Sequence, residues 1–193
     1  MLKKVLLICI ICLLVCGLVS CGGTSTFEKS DKVTEEEWLD AFDLSDVEKM
    51  TIDFELKSTV KEPDDENEFQ SKGTVVCKNN VINANYTEIS DGEEDEKSWK
   101  EEYDTLDFYN IEVAEIHALS YWDSRYELCE YSDNTGAYEL ALDTREESDA
   151  DMRGSGVYSF WFKDGNISKI SLSGSWEVDN GNFSMTATYN FKY

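Results

Sequence analysis

Few side chains in this sequence are of a type and spacing that do chemistry. Among 193 residues there is one histidine, His117, and one proline, and there are six cysteines. Without a second histidine, a His-paired nucleophile could only use His117. No Gly-x-Ser-x-Gly elbow is present for it to serve. No Cys or carboxylate stands at a ligand-like spacing from it, so it reads as an ordinary helix residue. Carboxylates are abundant: 41 acids face 17 Lys and Arg, a formal charge of −24. They cluster as Glu62, Asp64, Asp65, Glu66 and Glu68; as Asp91, Glu93, Glu94, Asp95 and Glu96; and as Glu146, Glu147, Asp149 and Asp151. Each cluster could hold Ca²⁺ weakly through oxygen ligands, but none has the Asp-x-Asp-x-Asp-Gly order of an EF-hand. Solvated loops are the expectation, with no metal, no cofactor and no assigned catalytic residue. The acidity also excludes nucleic acid as a partner, because phosphate binding needs a basic face. Apolar residues make up 41% and aromatics 12%, enough for a packed core. The length suits one domain.

The N-terminus carries the most specific signal. Lys3 and Lys4 precede an uncharged run over residues 5–19. As a helix that run reaches roughly 22 Å, short of the ~30 Å hydrocarbon core, so it reads as a secretory signal and not a span. Leu18-Val19-Ser20-Cys21 resembles a bacterial lipobox. The resemblance implies that the Cys21 thiol receives a diacylglyceryl group, with further acyl chains such as palmitate, and that cleavage falls before Cys21. Two or three acyl chains make a stable anchor where one is marginal. The expected organisation is a signal peptide over residues 1–20, an acylated tether over 21–32 and a single domain over 33–193. Such a protein sits on the cell membrane facing outside the cytoplasm, the extracellular side in a Gram-positive cell. Cys9, Cys12 and Cys16 would leave with the signal, and Cys77 and Cys129 would remain as thiols. Outside the cytoplasm Cys77 and Cys129 could form a disulfide, but strand parity places Cys77 on the core side and Cys129 on the other, which favours two free thiols, Cys77 buried and Cys129 partly exposed.

These sites need elements to hold them. Thr34 and Glu37 form a capping box, with Val33 and Trp38 as its hydrophobic staple; Trp38, Leu39 and Phe42 then share a helix face. Met50, Ile52, Phe54, Leu56 and Val60 alternate with polar residues as a strand. Residues 69–77 and 81–88 form a hairpin if Asn79-Asn80 is its turn, pairing Cys77 with Ile82, Val75 with Ala84 and Gly73 with Tyr86. The acidic stretches 62–68, 90–97 and 143–156 read as loops, and 99–103 as a short strand. Residues 105–119, with Leu106, Tyr109, Val113, Ile116 and Leu119, have helical spacing. Strands follow near 122–131 and 138–142, joined by Asp133-Asn134-Thr135-Gly136. In the last hairpin Asn180-Gly181 is a preferred type I′ pair, which sets Trp176 opposite Met185 and Leu172 opposite Tyr189. A plain two-residue loop at Asp164-Gly165 would send Tyr158, Phe160 and Phe162 to the wet face. An odd-length loop with Gly165 left-handed restores them to the core.

The expected fold is mainly β (α+β): a curved antiparallel sheet of about 8–10 strands with two helices on one face. Thr34-Glu35-Glu36-Glu37-Trp38 and the segment from Phe162 through Asp164-Gly165 to Ile170 resemble small lipoproteins of Gram-positive bacteria. More remotely the pattern resembles the lipoprotein-localisation-factor half-barrel, which implies a groove for acyl chains. Three functions fit: a lipid-anchored protein binding an apolar ligand or lipid, an envelope interaction or structural protein with no small ligand, and a hydrolase using carboxylates. Trp38 and Trp176 fall on core positions; Trp99, Trp122 and Trp161 have no assignment.

Overall fold

The computed structural model describes residues 33–62, 65–111, 125–143, 153–178 and 181–193. Residues 1–32, with Cys21 and the signal sequence, lie outside them, as do Pro63, His117 and Trp122. One helix, α1 (Glu35–Phe42), precedes nine strands: β1 (Lys49–Glu62), β2 (Asp65–Lys78), β3 (Val81–Ser90), β4 (Glu93–Glu102), β5 (Glu130–Ser132), β6 (Ala137–Asp143), β7 (Arg153–Lys163), β8 (Asn166–Val178) and β9 (Gly181–Lys192). They form one open antiparallel sheet in the order β4-β3-β2-β1-β9-β8-β7-β6-β5. The chain steps outward from β1 to the β4 edge, crosses to the β5 edge, and steps back until β9 pairs with β1.

Alternation decides which face is buried. Met50, Ile52, Phe54 and Leu56 on β1 and Phe183, Met185, Ala187, Tyr189 and Phe191 on β9 are each at most 7% exposed, while their neighbours in sequence are wetter. The β2–β3 register is the expected one, Cys77 with Ile82, Val75 with Ala84 and Gly73 with Tyr86. Both turn residues have positive φ, 54° at Asn79 and 61° at Asn80, as a type I′ turn requires.

Several expectations need correction. Residues 65–68 and 93–97 are strand, not loop: β1 and β2 pair out to Glu62 and Asp65, and β3 and β4 pair out to Ser90 and Glu93 around Asp91-Gly92. Residues 153–156 likewise belong to β7; cross-strand backbone bonds extend these ladders through residues whose charge hides them. Among the described residues there is one α-helix, not two. Where helical spacing predicted a helix over 105–119, residues 108–110 make a single 3-10 turn and 112–119 lie outside the described residues. Asp107 and Asn110 cap that turn reciprocally, each side chain accepting the other's backbone N–H at 3.0 and 3.1 Å. In place of the strand near 122–131, Arg125–Leu128 is a 3-10 turn and only Glu130–Ser132 pairs. The last hairpin is shifted by two residues: Trp176 faces Phe183, Leu172 faces Ala187, and Val178 pairs with Gly181. A two-residue shift preserves both faces, so alternation could not distinguish the registers. The observed one lets Gly181 pass 2.0 Å, measured from an added Cβ, beside the Lys61 carbonyl.

At Asp164-Gly165 the loop has two residues, both with positive φ (53° and 81°). The parity switch sits one step further along. Phe162 pairs with Ile167 but Trp161 with Lys169, so Ser168 is an extra residue bulged out of β8. Its hydroxyl donates to the Trp161 carbonyl at 3.0 Å. The expected outcome holds by a different device: Phe160 is fully buried and Tyr158 and Phe162 pack against the core.

Candidate functional site

The apolar face has two halves. Over one, α1 is held by its cap: Glu37 N–H donates to Thr34 Oγ1 at 3.2 Å and Thr34 N–H to Glu37 Oε2 at 2.7 Å. The Thr34 N–H, and then the Thr34 hydroxyl, which donates to Glu37 Oε2 at 3.0 Å, lower the pKa of Glu37. Trp38, Ala41 and Phe42 turn inward; Leu39 does not, being 45% exposed. The Trp38 ring meets those of Phe160, Phe162, Tyr126 and Tyr138 at centroid distances of 5.1–5.7 Å. Phe108 adds a second plug between Phe42 and Phe191. Two tyrosines also fix the point where the chain enters the domain. Val33 N–H donates to Tyr138 Oη at 2.7 Å, and Val33 O accepts from Tyr126 Oη at 2.8 Å.

Among the described residues, the ring contacts of Trp38, Phe42 and Phe108 lie on that half. On the other, cross-strand partners form a continuous row: Glu88, Ser71, Leu56, Ala187, Leu172, Tyr158 and Leu140. The next row runs Phe69, Ser58, Met185, Gly174, Gly156 and Leu142. Its glycines are a floor for Trp176: a Cβ on Gly174 would stand 2.1 Å from the indole and one on Gly156 2.8 Å. Trp176 stacks on Phe183 at 5.8 Å. The polar members are less easily explained. Ser58 is 8% exposed and Ser71 is fully buried, and the Ser71 hydroxyl has no hydrogen-bond partner. Beside them Tyr86, against Phe54 at 6.2 Å, has its phenol pKa raised by burial and then by Glu88, with Lys97 opposing.

The thiols are both free and both buried; Cys129, expected partly exposed, is 1% exposed and its Sγ donates to the Arg125 carbonyl. It follows a 3-10 turn, so strand parity did not apply to it. Burial pushes the Cys77 thiol up to about 12. The first two acidic clusters stand at exposed hairpin ends, where Glu66, Glu68 and Asp91 line an open groove; the third lies outside the described residues. Among the described residues no group of carboxylates, cysteines and histidine converges on a point for a metal ion. Trp161 lies on the wet face with Lys169 Nζ 4.5 Å above its ring, and Trp99 packs at the core's margin. Cys21, His117 and Trp122 lie outside the described residues. Sequence reasoning missed Ser58 and Ser71, although their positions, in phase with Leu56 and Val75 on their strands, would have placed them on the core face.

No protein-family model matches the chain, and no curated protein does. Solved structures similar to it include the S-type phycobiliprotein lyase CPES from Guillardia theta, at 9% identity over 84% of this chain and 94% of that one, TM-score 0.29. The ywiB protein from Bacillus subtilis shares 12% identity over 76% and 94%, TM-score 0.24. The LolA superfamily protein NE2245 from Nitrosomonas europaea shares 9% over 83% and 92%, TM-score 0.20. At these scores the likeness carries no argument.

Proposed function

We propose that this is a lipid-anchored protein outside the cytoplasm, held to the membrane by acyl chains on Cys21, that binds an apolar ligand or lipid on the core face of its sheet. The observation that supports it most is the asymmetry of that face. The rings of α1 and the 103–111 segment plug one half, whereas the other half carries a long apolar row interrupted by a buried, unpartnered hydroxyl. No helix among the described residues is long and apolar enough to cross a membrane; the anchoring reading rests on the lipobox resemblance at Leu18-Val19-Ser20-Cys21. A domain tethered by about ten residues meets bilayer lipid at high effective concentration.

Two experiments test this. Cys21→Ala should accumulate as an unprocessed precursor that a fatty-acid probe does not label; normal processing with full labelling would refute the anchor. Every described element lies after residue 32, so a chain starting at Gly22 holds the whole described fold. Native mass spectrometry of that chain after exposure to lipid extract should show a bound adduct. A bare mass throughout, with unchanged tryptophan fluorescence, would remove the ligand reading. The second reading, an envelope interaction protein, is favoured by β4, an exposed ten-residue strand at the sheet edge. Such an edge can pair with another chain's backbone.

A further inference from the structure

We propose that the outer edge of β4 takes an extended segment of another protein as an added strand, a segment basic at both ends and uncharged between, with an aliphatic residue against Trp99. This deepens the interaction-protein reading and rests on it. Backbone geometry comes first. β4 ends the sheet, and among the described residues it pairs only with β3. Asp91 and Gly92, at φ 54° and 81°, make a two-residue turn flanked by Ser90 and Glu93. The pair flanking such a turn exchanges its N–H and C=O groups across the hairpin. Further along the same phase, Tyr103 N–H donates to the Asn80 carbonyl at 3.0 Å. Glu93, Asp95, Lys97, Trp99 and Glu101 therefore bond to β3. Glu94, Glu96, Ser98, Lys100 and Glu102 turn their N–H and C=O groups outward, one residue every ~7 Å. All of β4 is exposed except Lys97 and Trp99, which are half-buried, so another strand can reach that row.

Charge and packing choose the occupant. Residues 93–96 are four successive acids, so both faces of the strand are negative at that end; Glu101 and Glu102 repeat this at the other. Of the two lysines, Lys97 is held by Asp95, and Glu88 on β3 adds to the negative charge by facing Asp95. Two β4 strands paired antiparallel in full register would set Glu93 and Glu94 against Glu102 and Glu101, so a second copy is repelled. An anionic bilayer is repelled for the same reason. A strand basic at both ends places opposite charges side by side. The middle, Lys97-Ser98-Trp99-Lys100, calls for no cation. There the core-face row Ile52, Val75, Ala84 and Trp99 runs out to the edge. Its first three members are buried, and the indole is left half-buried. An aliphatic residue opposite Trp99 continues that row. The two would form a non-hydrogen-bonded pair, the kind in which side chains stand closer.

The experiment titrates the chain from Gly22 against the dye-labelled peptide Lys-Lys-Thr-Val-Thr-Val-Lys-Lys-Lys-Lys at low ionic strength, read by fluorescence anisotropy. Laid antiparallel along β4, its first valine meets Trp99. Two further versions of the same charge carry backbone N-methyl groups. One is methylated at the third, fifth and seventh residues, whose N–H groups face β4; the other at the fourth, sixth and eighth, whose N–H groups face away. The first should bind about tenfold more weakly or worse, the loss of three hydrogen bonds, and the second as the parent does. Ser98→Pro removes one outward donor at an edge position where proline is tolerated. It should melt like the unmodified chain by circular dichroism and weaken the peptide about three- to tenfold. Glu94→Gln with Glu96→Gln should weaken it about two- to thirtyfold. If the two methylated peptides bind alike, strand addition is refuted while a charge-driven interaction surface stands. If no version of the peptide binds the unmodified chain, the interaction-protein reading fails at this edge as well.

Discussion

Deleting Ser168 should leave the protein folded, although it removes a residue from the middle of a hydrogen-bonded strand. The two-residue turn at Asp164-Gly165 pairs Lys163 with Asn166 and Phe162 with Ile167; beyond the bulge, Trp161 pairs with Lys169 and Phe160 with Ile170. A hairpin lacking Ser168 reaches the same partners with no bulge, because Lys169 moves into the vacated step. Ile167 and Ile170, both fully buried, stay on the core face. What is lost is the Ser168 Oγ bond to the Trp161 carbonyl, worth about 0.5–1.5 kcal/mol. At roughly 2–4 °C per kcal/mol for a domain of this size, Tm should fall by roughly 1–6 °C. The control is deletion of Ser173, five residues from the bulged Ser168. There a single-residue slip must turn either Ile167, Ile170 and Leu172 or Trp176 to the wet face. The first set alone costs on the order of 5–9 kcal/mol at about 1.5–3 kcal/mol per side chain, comparable with the whole stability of a domain. Circular dichroism during thermal and urea unfolding reads both. If the Ser168 deletion unfolds the chain as completely as the Ser173 deletion, the bulge is not what sets the parity of β7 against β8, and the reasoning fails.

Trp38→Ala should cost about 3–5 kcal/mol, the usual range for emptying a buried aromatic site, because the ring is fully buried among Phe160, Phe162, Tyr126 and Tyr138; urea denaturation checks it. Gly174→Ala should displace the Trp176 indole, which an added Cβ would meet at 2.1 Å. It should cost about 1–3 kcal/mol, with a red shift in tryptophan emission. In the chain from Gly22 a thiol reagent at pH 8 should find neither Cys77 nor Cys129 in the native state and both in denaturant, since both are buried. The Cys77 pKa is raised in the folded state from 9.0 to about 12. Its contribution is therefore complete below pH 9 and is lost as pH rises toward 12, so Cys77→Ala should flatten the alkaline fall in stability.

What was legible in the sequence follows from how many signals each element offered. β1 alternates over five apolar positions, which gave its buried face, and the β2–β3 turn has two asparagines flanked by matched faces, which gave its register. The C-terminal hairpin offered the right faces but two registers, and the favoured Asn180-Gly181 pair pointed to the wrong one. The deciding contacts were tertiary: Trp176 over Gly174 and Gly156, and Gly181 against the Lys61 carbonyl. Tyr158, Phe160 and Phe162 announced a parity switch, but alternation does not say whether a loop or a bulge makes it. Leu106 and Phe108 are buried on an irregular segment. Of the residues that gave the helical spacing, Val113, Ile116 and Leu119 lie outside the described residues. Strand parity with Val75 put Ser71 on the core face, but a serine's type says nothing of whether its hydroxyl finds a partner there, which only the surrounding strands decide.

β4 was the least legible element, and the reason is physical. It ends the sheet on one side, pairs only with β3, and has six acids among ten residues. Such a strand has no apolar period for alternation to detect, and its charge matches that of a solvated loop. Yet an exposed edge presents unpaired backbone groups to any passing strand, and charged side chains are one way to keep another copy from pairing there. β5, at the opposite edge, uses a second way, since it is only three residues long. The two edges are protected by different means. The acidity of β4 therefore serves the sheet's solubility first, and any partner that does pair with it must bring compensating positive charge.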